Sequence, residues 1–130
     1  DLHSTSRRQR QLCIRDRYTI RNKLNKKYMY SVLEKVGLEP RSKIPVGKYS
    51  LGMRQRLAIG QAIMENPDIL ILDEPMNGLD KNGVQEMRGL FEQMKNEGKL
   101  IILASHNRED IDVLCDEVYE MENGILKKRR

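Results

Sequence analysis

Two short apolar runs constrain the fold of this chain more than any other feature: Ile69-Leu70-Ile71-Leu72 and Leu100-Ile101-Ile102-Leu103-Ala104. The first is bounded by Pro67-Asp68 and Pro75. A continuous apolar run of this length reads as a strand covered on both faces, as in a parallel sheet. Between the runs, Val84, Met87, Leu90, Phe91 and Met94 recur at spacings of three and four, the stripe of a helix over 81–97, and Gly98 marks its end. Strand, helix and strand of these lengths form a βαβ unit with a right-handed crossover. The expected fold class is α/β, built on a parallel sheet.

Helical periodicity also runs from about Ile20 to Val36, with Met29, Val32, Leu33 and Val36 on one stripe and Gly37 as the stop. Residues 39–49, with Pro45 and Gly47, read as a loop. A second helix is expected from Ser50 to about Glu65, packed through Leu57, Ile63 and the small residues Ala58 and Ala62, and ended by Asn66-Pro67. After the second strand, Asn107–Leu114 reads as a short helix, and Val118–Lys127 as a hairpin turning at Asn123-Gly124. No run reaches the roughly 18 to 20 apolar residues that a membrane-spanning helix needs. Cys13 and Cys115 lack metal-ligand spacing and suggest neither a disulfide framework nor a zinc site, so a cytosolic location is the default.

The net charge of +5 sits at the ends: residues 1–17 carry +3, Lys127-Lys128-Arg129-Arg130 carries +4, and the body carries −2. That distribution argues against a nucleic-acid partner and reads as solvated termini. The arginine-dense run from Arg7 to Arg17 has neither helical nor strand period. It resembles the conceptual translation of a transposase-type sequencing adapter, with Leu12 in place of a methionine. Residues 1–17 are therefore expected to be non-native, with the natural sequence beginning near Tyr18; a genuine basic arm is the alternative.

In parallel α/β sheets ligands bind beyond the carboxyl ends of the strands. The first strand ends in Asp73-Glu74-Pro75 and the second in Ser105-His106. Adjacent carboxylates point in different directions, so one suits a Mg²⁺ ion, which takes oxygen ligands, and the other an attacking water. The imidazole suits a phosphate oxygen. The plainer reading is that the acids cap the next turn and His106 is a loop residue. Ser50 is a good N-cap, but Met53 occupies the third helical position, the first turn holds no acid, and Arg54 and Arg56 follow. A helix start left positive, with Gly52 allowing close approach, suits a phosphate; an ordinary capped helix is again the plainer reading.

Taken in order, these residues resemble the ATPase domain of ABC transporters. Tyr49 to Leu57 is similar to the signature motif and its helix, usually Leu-Ser-Gly-Gly-Gln, with Leu51 replacing the first glycine and Met53 the glutamine. Both changes resemble a variant of bacterial exporters with separate membrane subunits. Ile69 to Asp73 resembles the Walker B strand, Met76-Asn77-Gly78-Leu79-Asp80 the D-loop, and Ser105-His106 the switch histidine. The resemblance implies a P-loop NTPase fold, with 18–66 as the helical subdomain and 67–130 as the C-terminal part of the sheet core. It implies ATP and Mg²⁺ as cofactors, Asp73 holding Mg²⁺ through water, Glu74 as catalytic base and His106 as sensor of the γ-phosphate. Ser50, Leu51, Gly52 and Met53 would contact ATP bound by a second ABC ATPase subunit arranged head to tail, and Asp80 would couple the two. Transmembrane permease subunits are the other implied partners, placing the protein in the cytoplasm on the inner face of the membrane, with no nucleic acid.

No Gly-x-x-x-x-Gly-Lys-Ser/Thr stands in the chain. That loop supplies the amides and the lysine that hold phosphate. Each lost charge-assisted contact is worth about 1.5–3 kcal/mol, so the chain alone is expected not to bind ATP usefully. The expectation is an ATP-hydrolysing transporter subunit, of exporter type, present as a truncated gene. The alternatives are a soluble ABC ATPase acting on ribosomes or DNA, and a non-catalytic interaction fragment. A partial sheet would leave an apolar face open and make the isolated chain poorly soluble.

Overall fold

A computed structural model describes residues 26–130. The adapter-like segment, Cys13, and the beginning of the helix expected from Ile20 lie outside the described residues. Helix α1, Lys26–Lys35, is followed by a single 3₁₀ turn at Val46–Lys48 and by helix α2, Leu51–Ile63. Strand β1, Ile69–Asp73, helix α3, Lys81–Asn96, and strand β2, Leu100–Ala104, form the βαβ unit. Helix α4, Arg108–Leu114, then leads to the hairpin of β3, Tyr119–Glu122, and β4, Ile125–Lys128.

Glycine ends α1 and α3 by the same hydrogen-bond pattern. Gly37 (φ 74°) donates to the Glu34 carbonyl and Leu38 to Leu33; Gly98 (φ 86°) donates to Lys95 and Lys99 to Met94. Each pair is a Schellman motif, which needs a left-handed residue that glycine adopts without side-chain clash.

Strands β1 and β2 are parallel, in register from Ile69 opposite Leu100 to Asp73 opposite Ala104. The ladder extends one bond past each end, from Leu100 N–H to the Asp68 carbonyl and from Glu74 N–H to the Ala104 carbonyl. One core forms on a single side of this pair. Leu70 and Leu72 join Met87, Leu90, Phe91 and Met94 of α3, together with Val32 and Val36 of α1. On the opposite side Ile69, Ile71, Leu100 and Ile102 are exposed, Ile71 at 73%. The expectation of strands covered on both faces is thus met on one face only.

The inward face of α2 is the one expected at Ile63 and Leu57, which join or pack against the core, but not at its small residues. Ile59, Gly60, Ile63 and Met64 are buried, whereas Ala58 and Ala62 are exposed. Gly60, not an alanine, is the small residue that lets the helices approach: a β-carbon there would lie 3.2 Å from a Val36 methyl.

Helix α4 is tied to α3 by charge. Arg88 donates to Asp110 at 2.6 and 2.9 Å and to Glu109 at 3.1 Å. Asp110 is 1% exposed. These hydrogen bonds, to Asp110 first and then Glu109, push the guanidinium pKa above its ordinary value. The basic C-terminus also finds partners: Lys127 pairs with Glu122, Lys128 with Glu117, Arg129 with Glu120 and Arg130 with Asp112. All are surface pairs worth little individually, but they lay the tail along the hairpin and α4.

Candidate functional site

The site lies at the carboxyl ends of the two parallel strands. Asp73 is the last residue of β1 and is exposed. Glu74 follows with φ 45°, in the left-handed region that residues with a β-carbon rarely adopt. Its amide still bonds to Ala104, so the chain leaves the sheet abruptly at this residue. The turn carries the Glu74 side chain toward the loop after β2. There Oε1 of Glu74 accepts the His106 backbone N–H at 3.1 Å and pairs with the same residue's Nδ1. The carboxylate is 34% exposed and the imidazole 91%. A carboxylate held by an imidazole at a solvent-open strand end can orient or deprotonate a water, and the second ring nitrogen of the exposed imidazole is left to bond a ligand.

Three of the expected residues serve helix starts. Ser50 Oγ accepts the Met53 N–H at 3.1 Å, capping α2 and leaving its own O–H to donate. Asp80 Oδ1 accepts the Gly83 N–H at 2.8 Å and caps α3. Met53 gives its amide to that first cap and packs its side chain against the core. Among the described residues no hydrogen bond joins Ser50 or Asp80 to the Glu74–His106 pair.

The start of α2 is instead wedged against the loop between β1 and α3. A β-carbon on Gly52 would stand 2.9 Å from the Gly78 carbonyl, and one on Gly78 would stand 2.6 Å from Leu51 Cγ. Gly78 also has φ 79°. Both glycines are therefore required for this approach, and Leu51 fills the space over Gly78.

Gln55, which carried no role in the sequence, and Arg56, read there only as part of a positive helix start, complete the site's frame. Gln55 Nε2 donates to the Glu74 carbonyl at 3.2 Å and to the Pro75 carbonyl at 3.0 Å. Arg56 donates to the Val36 carbonyl at 2.9 Å and to Glu86 at 2.6 Å, joining α1, α2 and α3. Their partners lie 19 to 30 residues away, beyond the reach of any local pattern. A polar pair on the inward side of an otherwise packed helix was the one available signal.

For a divalent cation the fit is partial. Among the described residues no three His, Cys, Asp or Glu side chains converge as a metal cluster. The exposed Asp73 can supply one carboxylate, which suits Mg²⁺, an ion that keeps several waters and takes further oxygens from phosphate.

Comparison with known proteins bears on the family and the fold. The family model described as ABC transporter matches residues 3–77. The ABC transporter ATP-binding protein YybJ of Bacillus subtilis (strain 168) is 50% identical over 95 residues, covering 73% of this chain and 44% of that protein. The lantibiotic transport ATP-binding protein SrtF of Streptococcus pyogenes is 47% identical over 99 residues, covering 75% and 43%. The bacitracin transport ATP-binding protein BcrA of Bacillus licheniformis is 47% identical over 96 residues, covering 73% and 31%. The chain thus spans less than half the length of these curated relatives. In fold it is similar to the dimeric ATP-binding cassette MJ0796, solved in a post-hydrolysis state bound to ADP and Pi. The TM-score is 0.70 at 24% identity, covering 80% of this chain and 47% of that one. With signature-like helix, strand-end carboxylates and histidine in one arrangement, and with relatives of this similarity, the chain belongs to the ABC transporter family.

Proposed function

We propose that this chain is the signature-bearing and hydrolytic portion of an ATP-hydrolysing subunit of a bacterial ABC transporter, of exporter type. The observation that carries the reading is the Glu74–His106 pair at the ends of the parallel strands. Glu74 takes a proton from a water as its oxygen attacks the γ-phosphorus; the bond to the bridging oxygen breaks, leaving ADP and inorganic phosphate. Its exposed partner His106 holds the carboxylate through Nδ1 and offers the other ring nitrogen to a γ-phosphate oxygen. Asp73 would hold Mg²⁺ through water, and the ion when bound neutralises charge on the phosphates. Ser50, with a free O–H, and Gly52, at a helix start with no acid in its first turn, act on nucleotide held by a partner subunit. Leu51 and Met53 shape that helix start, and Asp80 sets the loop that would face the partner.

The names of SrtF and BcrA support coupling to transport. The Leu51 and Met53 replacements support the exporter type. No helix among the described residues is long and apolar enough to cross a membrane. Permease subunits would supply the membrane path, with this subunit bound at their cytoplasmic face.

Glu74→Gln in the complete protein tests the assignment. ATP turnover should fall by a factor on the order of 10² or more, as for loss of a general base, while ATP binding stays intact. Hydrolysis at the unaltered rate would refute the role of Glu74.

A further inference from the structure

The loop that carries Glu74 is fastened to α2 at both ends. Leu51 and Gly52 abut Gly78 at one end, and Gln55 bonds to the carbonyls of Glu74 and Pro75 at the other. The Glu74 end needs a fastening. A residue with a β-carbon at φ 45° persists only where its surroundings hold it. Pro75, buried, has no N–H of its own to contribute. The Glu74 carbonyl accepts the Asn77 N–H at 3.1 Å as well as Gln55, and the Pro75 carbonyl accepts Gln55. The two amide hydrogens of Gln55 match the two carbonyls, one each. The reverse orientation would set the Gln55 oxygen against two carbonyl oxygens, so the neighbours fix the amide as a donor.

We infer that Gln55 is a positioning residue for Glu74: its amide clamps the Glu74 and Pro75 carbonyls and holds the left-handed turn from which the carboxylate reaches His106. The inference rests on the reading of Glu74 as the hydrolytic base. Both hydrogens of the Gln55 amide go to these carbonyls, so Gln55 acts through the backbone it holds. Its removal therefore misplaces the carboxylate without altering the groups that bind ATP.

The test is ATP hydrolysis by the complete protein, measured per folded molecule against ATP concentration, for Gln55→Glu, Glu74→Gln and the double variant. Gln55→Glu keeps the shape of the side chain and replaces two donors by a carboxylate. Gln55→Ala, which simply removes the donors, serves if that variant does not fold. The expected result is a fall in kcat of order 10- to 100-fold, the scale of a misplaced reacting group, with KM for ATP within about twofold. In single turnover the double variant should be no slower than Glu74→Gln alone. An unchanged kcat, a rise in KM with kcat intact, or a further loss on top of Glu74→Gln would overturn the positioning role. Normal turnover by Glu74→Gln would remove the reading of Glu74 and this inference with it. An inactive Glu74→Gln beside a normal Gln55 variant would remove the inference alone.

Discussion

At the scale of single residues, the side chains that matter most act over long sequence separations. Asp110 sits in Asn107-Arg108-Glu109-Asp110, which reads locally as an N-cap followed by acids facing water. It is nevertheless buried, because Arg88 of the preceding helix reaches it with two hydrogen bonds. Removing one member of a buried pair leaves the other uncompensated, at a cost of about 3–5 kcal/mol. Arg88 keeps Glu109 and some solvent contact, so Asp110→Ala in the complete protein should lose about 3 kcal/mol, the lower end of that range. Denaturant unfolding checks this, and a loss below about 0.5 kcal/mol, the scale of an ordinary surface substitution, would contradict it. The residues legible in the sequence were those whose chemistry is local to a motif: Asp73, Glu74 and His106 at strand ends, Ser50 and Asp80 before helices. Asp110, Gln55 and Arg56 were not legible, because each is defined by a partner at least 19 residues away.

At the scale of elements, legibility follows from punctuation. Gly37, Gly98 and Asn123-Gly124 stop or turn the chain by backbone conformation alone, and each stands where its residue type predicts. Asn123 and Gly124 both have positive φ, as a type I′ hairpin turn requires. The face of α2 was legible at Leu57 and Ile63 but not at its small residues: a run of Leu, Ala, Ile, Gly and Ala offers several stripes, and contact with Val36 selects the one through Gly60. The hairpin depends on its cross-strand pairs, since its strands are exposed throughout. The exposed Glu117 carboxyl is held below its ordinary value of 4.5, first by the Tyr119 hydroxyl and then by Lys128. A depressed carboxyl favours the folded form above its unfolded pKa and ceases to do so as pH falls through the folded one. Nuclear magnetic resonance titration should place the Glu117 midpoint below 4.5. The hairpin should loosen around that midpoint on acidification. A midpoint at or above 4.5 would show that the Tyr119 and Lys128 bonds are not kept in solution.

At the scale of the whole molecule, the described residues form a half-covered sheet. Ile69, Ile71, Leu100 and Ile102 present an apolar face and two open strand edges, the physical basis for expecting poor solubility of the chain by itself. The βαβ unit was legible because its apolar runs and stripe are continuous. The open face follows from the partial sheet, as expected, and not from those runs, which encode burial on both sides whatever then covers them. The same architecture sets the division of labour in the proposed subunit. Ser50 and Gly52 stand at one helix start, Glu74 and His106 at the strand ends, and the two sets share no hydrogen bond. They are read as serving different nucleotides in a head-to-tail dimer.

Hydrolysis by mixed dimers tests that reading most directly. Two versions of the complete protein are prepared, one with Ser50→Arg and one with Glu74→Gln, each inactive alone. When co-expressed, a dimer of one of each retains one nucleotide flanked by an intact Ser50 and an intact Glu74 from opposite subunits. ATP hydrolysis reappearing in the mixture is the result this account predicts. A mixture as inactive as either variant alone would contradict it.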